Sequence, residues 1–514
     1  MKKITLLLFL VTSMAHAQQI EWIKNPPIDF NSNGDLIGYT TTADPSGNVY
    51  LAGFKENMFY YSEIHGDIYY NKYDNTGALL FSKTFTGHVT VNDMTADSQG
   101  NVYLAATFVN LMQVGELLLS TEEQGTQNAL FKFNPQGELV WHMQFEMQQW
   151  SEPTIFQIVT DAQDNLYVGY CDFMDSIIQK FTPDGAPMLT ITQQNVRMLS
   201  SISVDNQGNI YAAGSCTDPG ATFNGVDIED PLTYNTFLVK YSPAGVYQWV
   251  RFQEDITCPK PQVVAVSPDE VYFSSYLFDD YLFDDIATEG PLGMFNDFFL
   301  TRLNANGEYQ WVQEVPGQGM AQIGNHRYLS ADPQGNILFV GSTRGGIQWT
   351  DTVSTASNGP SEDGLVLQYD KNGNLLMAKT VGGASNDRID AVSVTPSGAI
   401  AVVGVARGSA TIDGFSFEAD EFDYWPFLAQ LTNDALGTVA PVEPVIGFYP
   451  NPASDKVFPV GISKAVTGSL YNMLGQKVLD FSADAQHPIE VSSLAKGTYL
   501  IKADGFRVAK LIKK

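Results

Sequence analysis

Asp44-Pro-Ser-Gly-Asn-Val-Tyr-Leu-Ala-Gly53 decides the fold, because the phrase returns along the chain. DSQGNVYLAA begins at Asp97, DAQDNLYVGY at Asp161, DNQGNIYAAG at Asp205 and DPQGNILFVG at Asp332. Two degenerate copies, SPDEVYFSS from Ser267 and TPSGAIAVVG from Thr395, bring the number to seven. Recurrence at a spacing of roughly 60 residues is the signature of a repeat architecture. Within each copy the Asp caps free turn N–H groups and the Gly supplies the positive φ that reverses the chain. The run after it alternates as a strand does. Each copy is therefore a hairpin of a first and a second strand.

A second phrase follows each first one. Lys72-Tyr73 leads to Gly77, Lys132-Phe133 to Gly137, Lys180-Phe181 to Gly185, Lys240-Tyr241 to Gly245, Arg302-Leu303 to Gly307 and Gln368-Tyr369 to Gly373. Four residues after each Gly stands a large apolar residue: Phe81, Trp141, Leu189, Trp249, Trp311 and Met377. These are third and fourth strands. Seven four-stranded antiparallel units predict an all-β chain, a seven-bladed β-propeller.

The seventh unit stops after Phe427-Leu428-Ala429-Gln430-Leu431, without a fourth strand. IEWIKNP, Ile20 to Pro26, looks like the missing piece: Trp22 precedes Asp44 by 22 residues, against 20 between Trp141 and Asp161. The expectation is that the N-terminal strand completes unit seven and removes an exposed sheet edge.

The propeller phrases resemble the SBBP-type repeats of secreted bacterial proteins over roughly residues 20–431, most clearly in VGGASNDRIDAVSVTPSGAIAVVG (Val381 to Gly404) and SEDGLVLQYDKNGN (Ser361 to Asn374). That resemblance implies a scaffold and little about activity, because propellers host binding, adhesion and catalysis alike.

Residues 1–17 read as a secretory signal: Lys2 and Lys3, an apolar run from Ile4 to Val11, and Ala15-His16-Ala17 for cleavage, so the mature chain starts at Gln18. No later stretch approaches the ~20 apolar residues of a membrane span. The propeller is expected over 18–431 and a Pro-bearing linker over 432–446. A small β module follows at 447–514. There FYPNPASDKV (Phe448 to Val457), SLYNMLGQKVL (Ser469 to Leu479), IEVSSLAKGTYLIK (Ile489 to Lys502) and a final KLIKK alternate with turns. This module is similar to the type A C-terminal sorting domain of the type IX secretion system. The likeness rests on Tyr449-Pro450-Asn451-Pro452, Leu474-Gly475-Gln476-Lys477 and Gly497-Thr498-Tyr499. It implies the type IX machinery as partner, passage across a Gram-negative outer membrane, and delivery to the cell surface or medium. Val457 followed by Phe458-Pro459 departs from the alternation expected of a strand there.

A net charge of −29 and a pI near 4.4 disfavour nucleic acid and anionic lipid as partners. HExxH, GxSxG, P-loop and CxxC motifs are absent, and His65, His88, His142, His326 and His487 are scattered, so no cofactor is expected. The turn Asp residues stand one per unit, which suits capping better than calcium, a cation that needs six or more converging oxygens. YLFDDYLFDD, Tyr276 to Asp285, is denser: Asp279, Asp280, Asp284 and Asp285 could hold a cation, against a default reading as a solvated loop. Cys171, Cys216 and Cys258 allow at most one internal disulfide, Cys216–Cys258 being the pairing considered.

The connections between second and third strands are mostly long and share a face with those between units, where function tends to sit. Arg344 and Arg407 follow the second strands of units six and seven, and Arg327 and Arg388 open the first strands of the same units. They are half of the chain's eight arginines. Arginine forks suit carboxylate or phosphate, so this sector is a candidate anion site, weighed against pairing with local acids such as Asp387 and Asp390. Trp150, Trp349 and Trp425 fall on the same face and are candidate stacking surfaces, weighed against burial beneath the loops. The leading expectation is a surface or secreted module that binds glycan or protein. A polysaccharide-active hydrolase or lyase and a passive structural protein are the alternatives.

Overall fold

The computed structural model describes the 514-residue chain except for residues 1–18, 27–39, 55–57, 61–62, 122–125, 146–153, 173, 229–233, 255–259, 292–296, 422, 433–446, 461–465, 473–475, 485 and 504–508. The described residues form strands and turns, with no helix. The chain divides into two compact units, one within 16–436 and one holding 437–514.

In the larger unit, the simplest sheet runs in chain order through Gln262–Ser267, Glu270–Leu277, Asp297–Leu303 and Tyr309–Gln313. The sheet of Arg388–Val394, Ile400–Arg407 and Tyr424–Leu431 takes its fourth strand from Ile20–Lys24, with Trp22 opposite Gln430 and Ile23 opposite Ala429. At two places the fourth strand of one unit runs unbroken into the first of the next, in Leu79–Ala96 and Pro187–Val204. The sequence predicts two separate strands at each of these places. They fuse because the following strand folds back along the connection: Val102–Val114 pairs Met112 with Gly87, and Ile210–Phe223 pairs Phe223 with Gln193. Gly87 permits this, since a Cβ there would lie 2.4 Å from the Leu111 carbonyl oxygen.

The repeated Asp builds five of the hairpins, and Thr395 Oγ1 takes its place in a sixth, accepting Ala399 N at 3.0 Å. Asp205 Oδ1 accepts the N–H groups of Gln207 and Asn209, both at 2.9 Å, while Oδ2 accepts Asn209 Nδ2 at 2.8 Å and the Tyr211 hydroxyl at 3.0 Å. In three copies a lysine of the third strand joins in: buried Lys72 to Asp44 at 3.2 Å, buried Lys132 to Asp97 at 3.3 Å and half-buried Lys180 to Asp161 at 3.0 Å. In the Asp332 copy Gln368 replaces that lysine, donating to Oδ2 at 2.8 Å.

Neighbouring units interlock through the same residue positions. The indoles of Trp141, Trp249 and Trp311 donate to the carbonyls of Pro183, Ala305 and Lys371 in the next unit's second turn, at 3.1, 3.0 and 3.0 Å. Trp22 makes that bond to Asn75, at 3.1 Å.

First strands are tied to one another as well. Thr40 Oγ1 donates to Asp93 (3.2 Å), Asn92 Nδ2 to the Ile155 carbonyl (2.9 Å) and Ser201 Oγ to Gln157 (2.7 Å). Val263 N donates to Ser201 Oγ (3.1 Å), Leu329 N to Gln262 (3.1 Å) and Val392 N to the Arg327 carbonyl (2.8 Å). The hydroxyls of Thr41 and Ser393 are 3.2 Å apart.

The smaller unit has a three-stranded sheet, Gly447–Tyr449, Lys456–Val460 and Ile489–Glu490, and a four-stranded one ordered Lys477–Ala483, Val466–Asn472, Gly497–Ala503 and Ala509–Lys513. Both contribute to one core containing Val457, Leu470, Ile489, Ile501 and Leu511. Val457 is fully buried and pairs with Ile489, so the segment with irregular alternation is a strand after all. Asn451 ties the entry segment to the last strand, donating to the Lys510 carbonyl (2.7 Å) and accepting from Ile512 N (2.9 Å). Tyr449 is exposed, Tyr499 donates to the Ala495 carbonyl at 2.8 Å, and Pro450 and Pro452 both follow cis peptide bonds. Gly475 lies outside the described residues.

Candidate functional site

The first strands are irregular near their starts. Their registers shift between Val91 and Asp93, Ile155 and Gln157, Leu199 and Ser201, and Ile389 and Ala391. A fifth first strand breaks between Ala321–Ile323 and Leu329–Ala331, leaving Gly324 to Tyr328 outside the ladder. Bulges re-aim side chains. Room for them comes from the closing glycine of the repeated phrase. A Cβ on Gly214, Gly341 or Gly404 would lie 2.0, 1.8 or 2.1 Å from the carbonyl oxygen of Met198, Gln322 or Arg388.

The interrupted segment brings Asn325, His326 and Arg327 to the polar groups of the other first strands. Arg327 NH2 donates to Asp93 and, at 2.8 Å, to the Ile158 carbonyl. Its Nε is buried without an acceptor, and NH1 has none among the described residues. Asp93 also accepts from Thr40 and from Ile158 N, so its oxygens are fully engaged. Arg388 Nε forks onto both oxygens of Asp390 at 3.0 and 3.1 Å, and Asp390 Oδ1 also takes Asn325 Nδ2 at 2.9 Å. Lys260 Nζ donates to Asn325 Oδ1 at 2.9 Å and has no ion pair among the described residues.

Electrostatics follow from this crowding. Burial draws Lys260 below the usual lysine range; Asp390 opposes that and Arg388 adds to it. Burial likewise brings His326 down to about 4, with Lys260 and Arg388 reinforcing and Asp390 and Asp93 opposing. The imidazole is therefore neutral at pH 7, and its ring nitrogens have no partner among the described residues.

Of the four arginines singled out in the sequence, Arg327 and Arg388 belong to this cluster. Arg344 and Arg407 end their second strands: Arg344 is exposed and donates to the Pro360 carbonyl at 3.3 Å, and Arg407 lies over the Tyr424 ring at 5.4 Å. The tryptophan expectation needs correction. Trp349 and Trp425 are 9% and 0% exposed, their indoles donating to Thr355 Oγ1 and the Gly408 carbonyl, so neither offers a stacking face. Trp150 lies outside the described residues. Asp284 is held by Arg251, Asp279 accepts its neighbour's N–H, and Asp280 and Asp285 are exposed. Among the described residues no three His, Cys, Asp or Glu converge as metal ligands. Cys171 and Cys216 are free thiols, and Cys258 lies outside the described residues.

Lys260, His326, Asp93 and Asn325 were missed by sequence reasoning, because they come from different repeats and meet only where strand regularity fails. The one available signal was the stretch after Ile323, GNHRYLS, which lacks the alternation of the other first strands. A second set of acids was missed too. Asp175 and Asp297 open third strands and Asp67 lies within one, and they accept Asn195 N (2.9 Å), Val315 N (3.1 Å) and Gly87 N (3.0 Å) respectively. Burial pushes Asp297 up to about 7. Burial likewise pushes up Asp363, and takes Asp387, with Asp363 nearby, to about 7. The opposite ends of the first strands frame an open hollow of about 380 Å³ lined by Asp44, Pro45, Asp97, Asp332, Pro333 and Pro396 among others, where the Asp carboxylates serve the turns.

Comparison with known proteins bears on both units. Residues 447–514 match the secretion system C-terminal sorting domain family. They are a type IX sorting domain. It marks a secreted or cell-surface protein of a Bacteroidetes-type bacterium, handled by the type IX machinery. No curated protein matches the chain significantly. Among solved structures, the Dos1 propeller is similar at TM-score 0.41 and 10% identity, over 82% of this chain and 96% of that one. The virginiamycin B lyase of Staphylococcus aureus gives 0.39 at 10% identity, over 79% and 99%. A family PL25 ulvan lyase gives 0.42 at 12% identity, over 79% and 95%. The neighbours are propeller-like, and among the described residues no helix is long and apolar enough to cross a membrane.

Proposed function

We propose that residues 18–431 form a seven-bladed β-propeller of SBBP-type repeats, closed by Ile20–Lys24, that serves as a ligand-binding module at the cell surface or in the medium. The signal peptide at 1–17 starts its export. Support for the count comes from the seven copies of the hairpin phrase, five of them opened by Asp, and from the hydrogen bonds that run from each first strand to the next and from Ser393 back to Thr41. Support for the closing strand comes from Trp22, which bonds Asn75 as the other tryptophans bond the unit that follows theirs.

The observation that carries the binding reading is the set of side chains gathered where the first strands begin. Lys260, His326 and Arg327 keep hydrogen-bonding capacity that the fold does not use. Buried polar groups left over from folding are a feature of sites rather than of cores. Arg344 and Arg407 form an outer part of the same sector.

The test is a screen of the mature chain against arrayed glycans and peptides, with Arg344→Ala plus Arg407→Ala beside it. Binding without turnover is expected, weakened by the double variant; an unchanged profile removes those two residues from the site. Release of reducing or unsaturated sugar ends would replace this reading with that of a polysaccharide-active enzyme.

A further inference from the structure

The ligand class is written in the charge balance of the cluster. Two carboxylates, Asp93 and Asp390, face three cations, Lys260, Arg327 and Arg388. Asp390 is saturated by Arg388 and Asn325, and Asp93 by Thr40, the Ile158 N–H and Arg327. Among the described residues one positive charge is left over, on Lys260, in a chain that carries −29 overall. Holding an ammonium away from bulk water without a counter-charge is costly, and a bound anion relieves the cost. Arg327 is built to share it: one amino group is anchored on Asp93 and Ile158, which fixes the guanidinium plane, while NH1 and Nε remain unbonded. Nε–H shares its edge with the anchored amino group, so NH1 is the atom left to donate a charged hydrogen bond to a carboxylate.

We propose that this cluster binds an acidic sugar, its carboxylate held by Arg327 and Lys260 and an adjacent hydroxyl by the His326 ring. The inference rests on the binding reading given above and deepens it. Burial, reinforced by Lys260 and Arg388, disfavours a charge on His326, so the imidazole meets the ligand as one donor and one acceptor. A hydroxyl, itself donor and acceptor, is its natural partner. A bare anion would leave the ring idle, and a neutral sugar would leave Lys260 uncompensated.

The experiment is calorimetric titration of the mature chain with a galacturonate oligosaccharide, the matching neutral galactose oligosaccharide and inorganic sulfate. It is repeated with Lys260→Met, Lys260→Arg and His326→Phe. Lys260→Met keeps the apolar stem and is exposed to little folding risk; each variant's melting curve is recorded alongside. Expected are binding of the uronate alone, a loss on the order of tenfold to a hundredfold for Lys260→Met, as for a charged hydrogen bond, and substantial recovery in Lys260→Arg. Uronate affinity unchanged in Lys260→Met overturns the inference. Sulfate binding as tightly as the uronate overturns its sugar component. A neutral oligosaccharide that binds and is weakened by His326→Phe also overturns it, yet leaves the binding reading standing. Ligands found on the array whose affinity responds to none of the variants sink both.

Discussion

The Trp22 indole donates to the Asn75 carbonyl at 3.1 Å across 53 residues, and Trp141 donates to Pro183 at the same distance across 42. Both rings pack beside the glycine of the turn they bond: a Cβ on Gly77 would lie 2.7 Å from the Trp22 ring, while Gly185 is next to Trp141. One segment precedes every repeat and the other lies among them, yet they occupy equivalent positions.

Replacing Trp22 by Ala removes this bond and a 6%-exposed ring. Loss of a buried aromatic costs about 3–5 kcal/mol, so urea unfolding of Trp22→Ala should shift as far as that of Trp141→Ala. A shift indistinguishable from zero would mean the first strand is dispensable.

Asp44 anchors a buried lysine as well as a turn. Burial acts to raise its pKa, but Asn48 and Lys72 outweigh that and hold the carboxyl below its ordinary value, as Asn165 and Lys180 do for Asp161. A depressed carboxyl contributes stability above its unfolded pKa of about 3.9, and that contribution disappears as pH falls through the folded value. Asp44→Ala, by leaving Lys72 buried and unpaired, should cost about 3–5 kcal/mol at pH 7. The gap from wild type should shrink below about pH 4. Denaturant midpoints at pH 7, 4 and 3 measure it.

Asp387 works in the opposite sense. Its folded pKa near 7 exceeds the unfolded value, so the folded chain binds the extra proton between about pH 4 and 7 and loses stability as pH rises through that window. Asp387→Asn does not titrate and keeps one of the two acceptor oxygens that Gly383 N and Arg407 N use. Its midpoint should vary less than that of wild type between pH 5 and 8. Parallel pH profiles would assign the charge at Asp387 no role.

Gly341 faces the Gln322 carbonyl where the first strand breaks, and a Cβ there would sit 1.8 Å from that oxygen. Gly341→Ala should destabilise by about 1–3 kcal/mol or more, as overpacking does. It should also weaken ligand binding, because the strand that carries His326 must move. Gly47→Ala meets nothing within 4 Å and has only its φ of +82° to contend with, so its binding should match wild type.

Removing residues 447–514 takes away the sorting domain as a separate compact unit. The truncated chain should fold, with the melting transition of the larger unit intact, and accumulate in the periplasm. Appearance in the medium at wild-type levels would mean another export signal suffices.

How much of this was legible follows from what kind of interaction each feature uses. The hairpins, their Asp caps and the strand spacing depend on residues within a few positions of one another, so a repeated phrase announces them. Even the partnership of Ile20–Lys24 with Tyr424–Leu431 could be read, because a unit lacking its fourth strand and a stray strand with the right spacing to Asp44 are both visible in the text. The sorting domain carries local turn motifs and was equally open to reading.

Sequence alone thus determined an all-β repeat chain with a separate terminal module, since local turn chemistry and alternation suffice for both. Tertiary structure alone decided that Arg327 crosses to Asp93, 234 positions away, that Lys260 meets Asn325, and that Trp349 and Trp425 are buried rather than presented. The reason is geometric. The Arg327 and Lys260 contacts arise where the first strand is interrupted at Gly324 to Tyr328, and where a side chain points after such a break depends on how neighbouring first strands pack, which residue order along the chain does not encode locally.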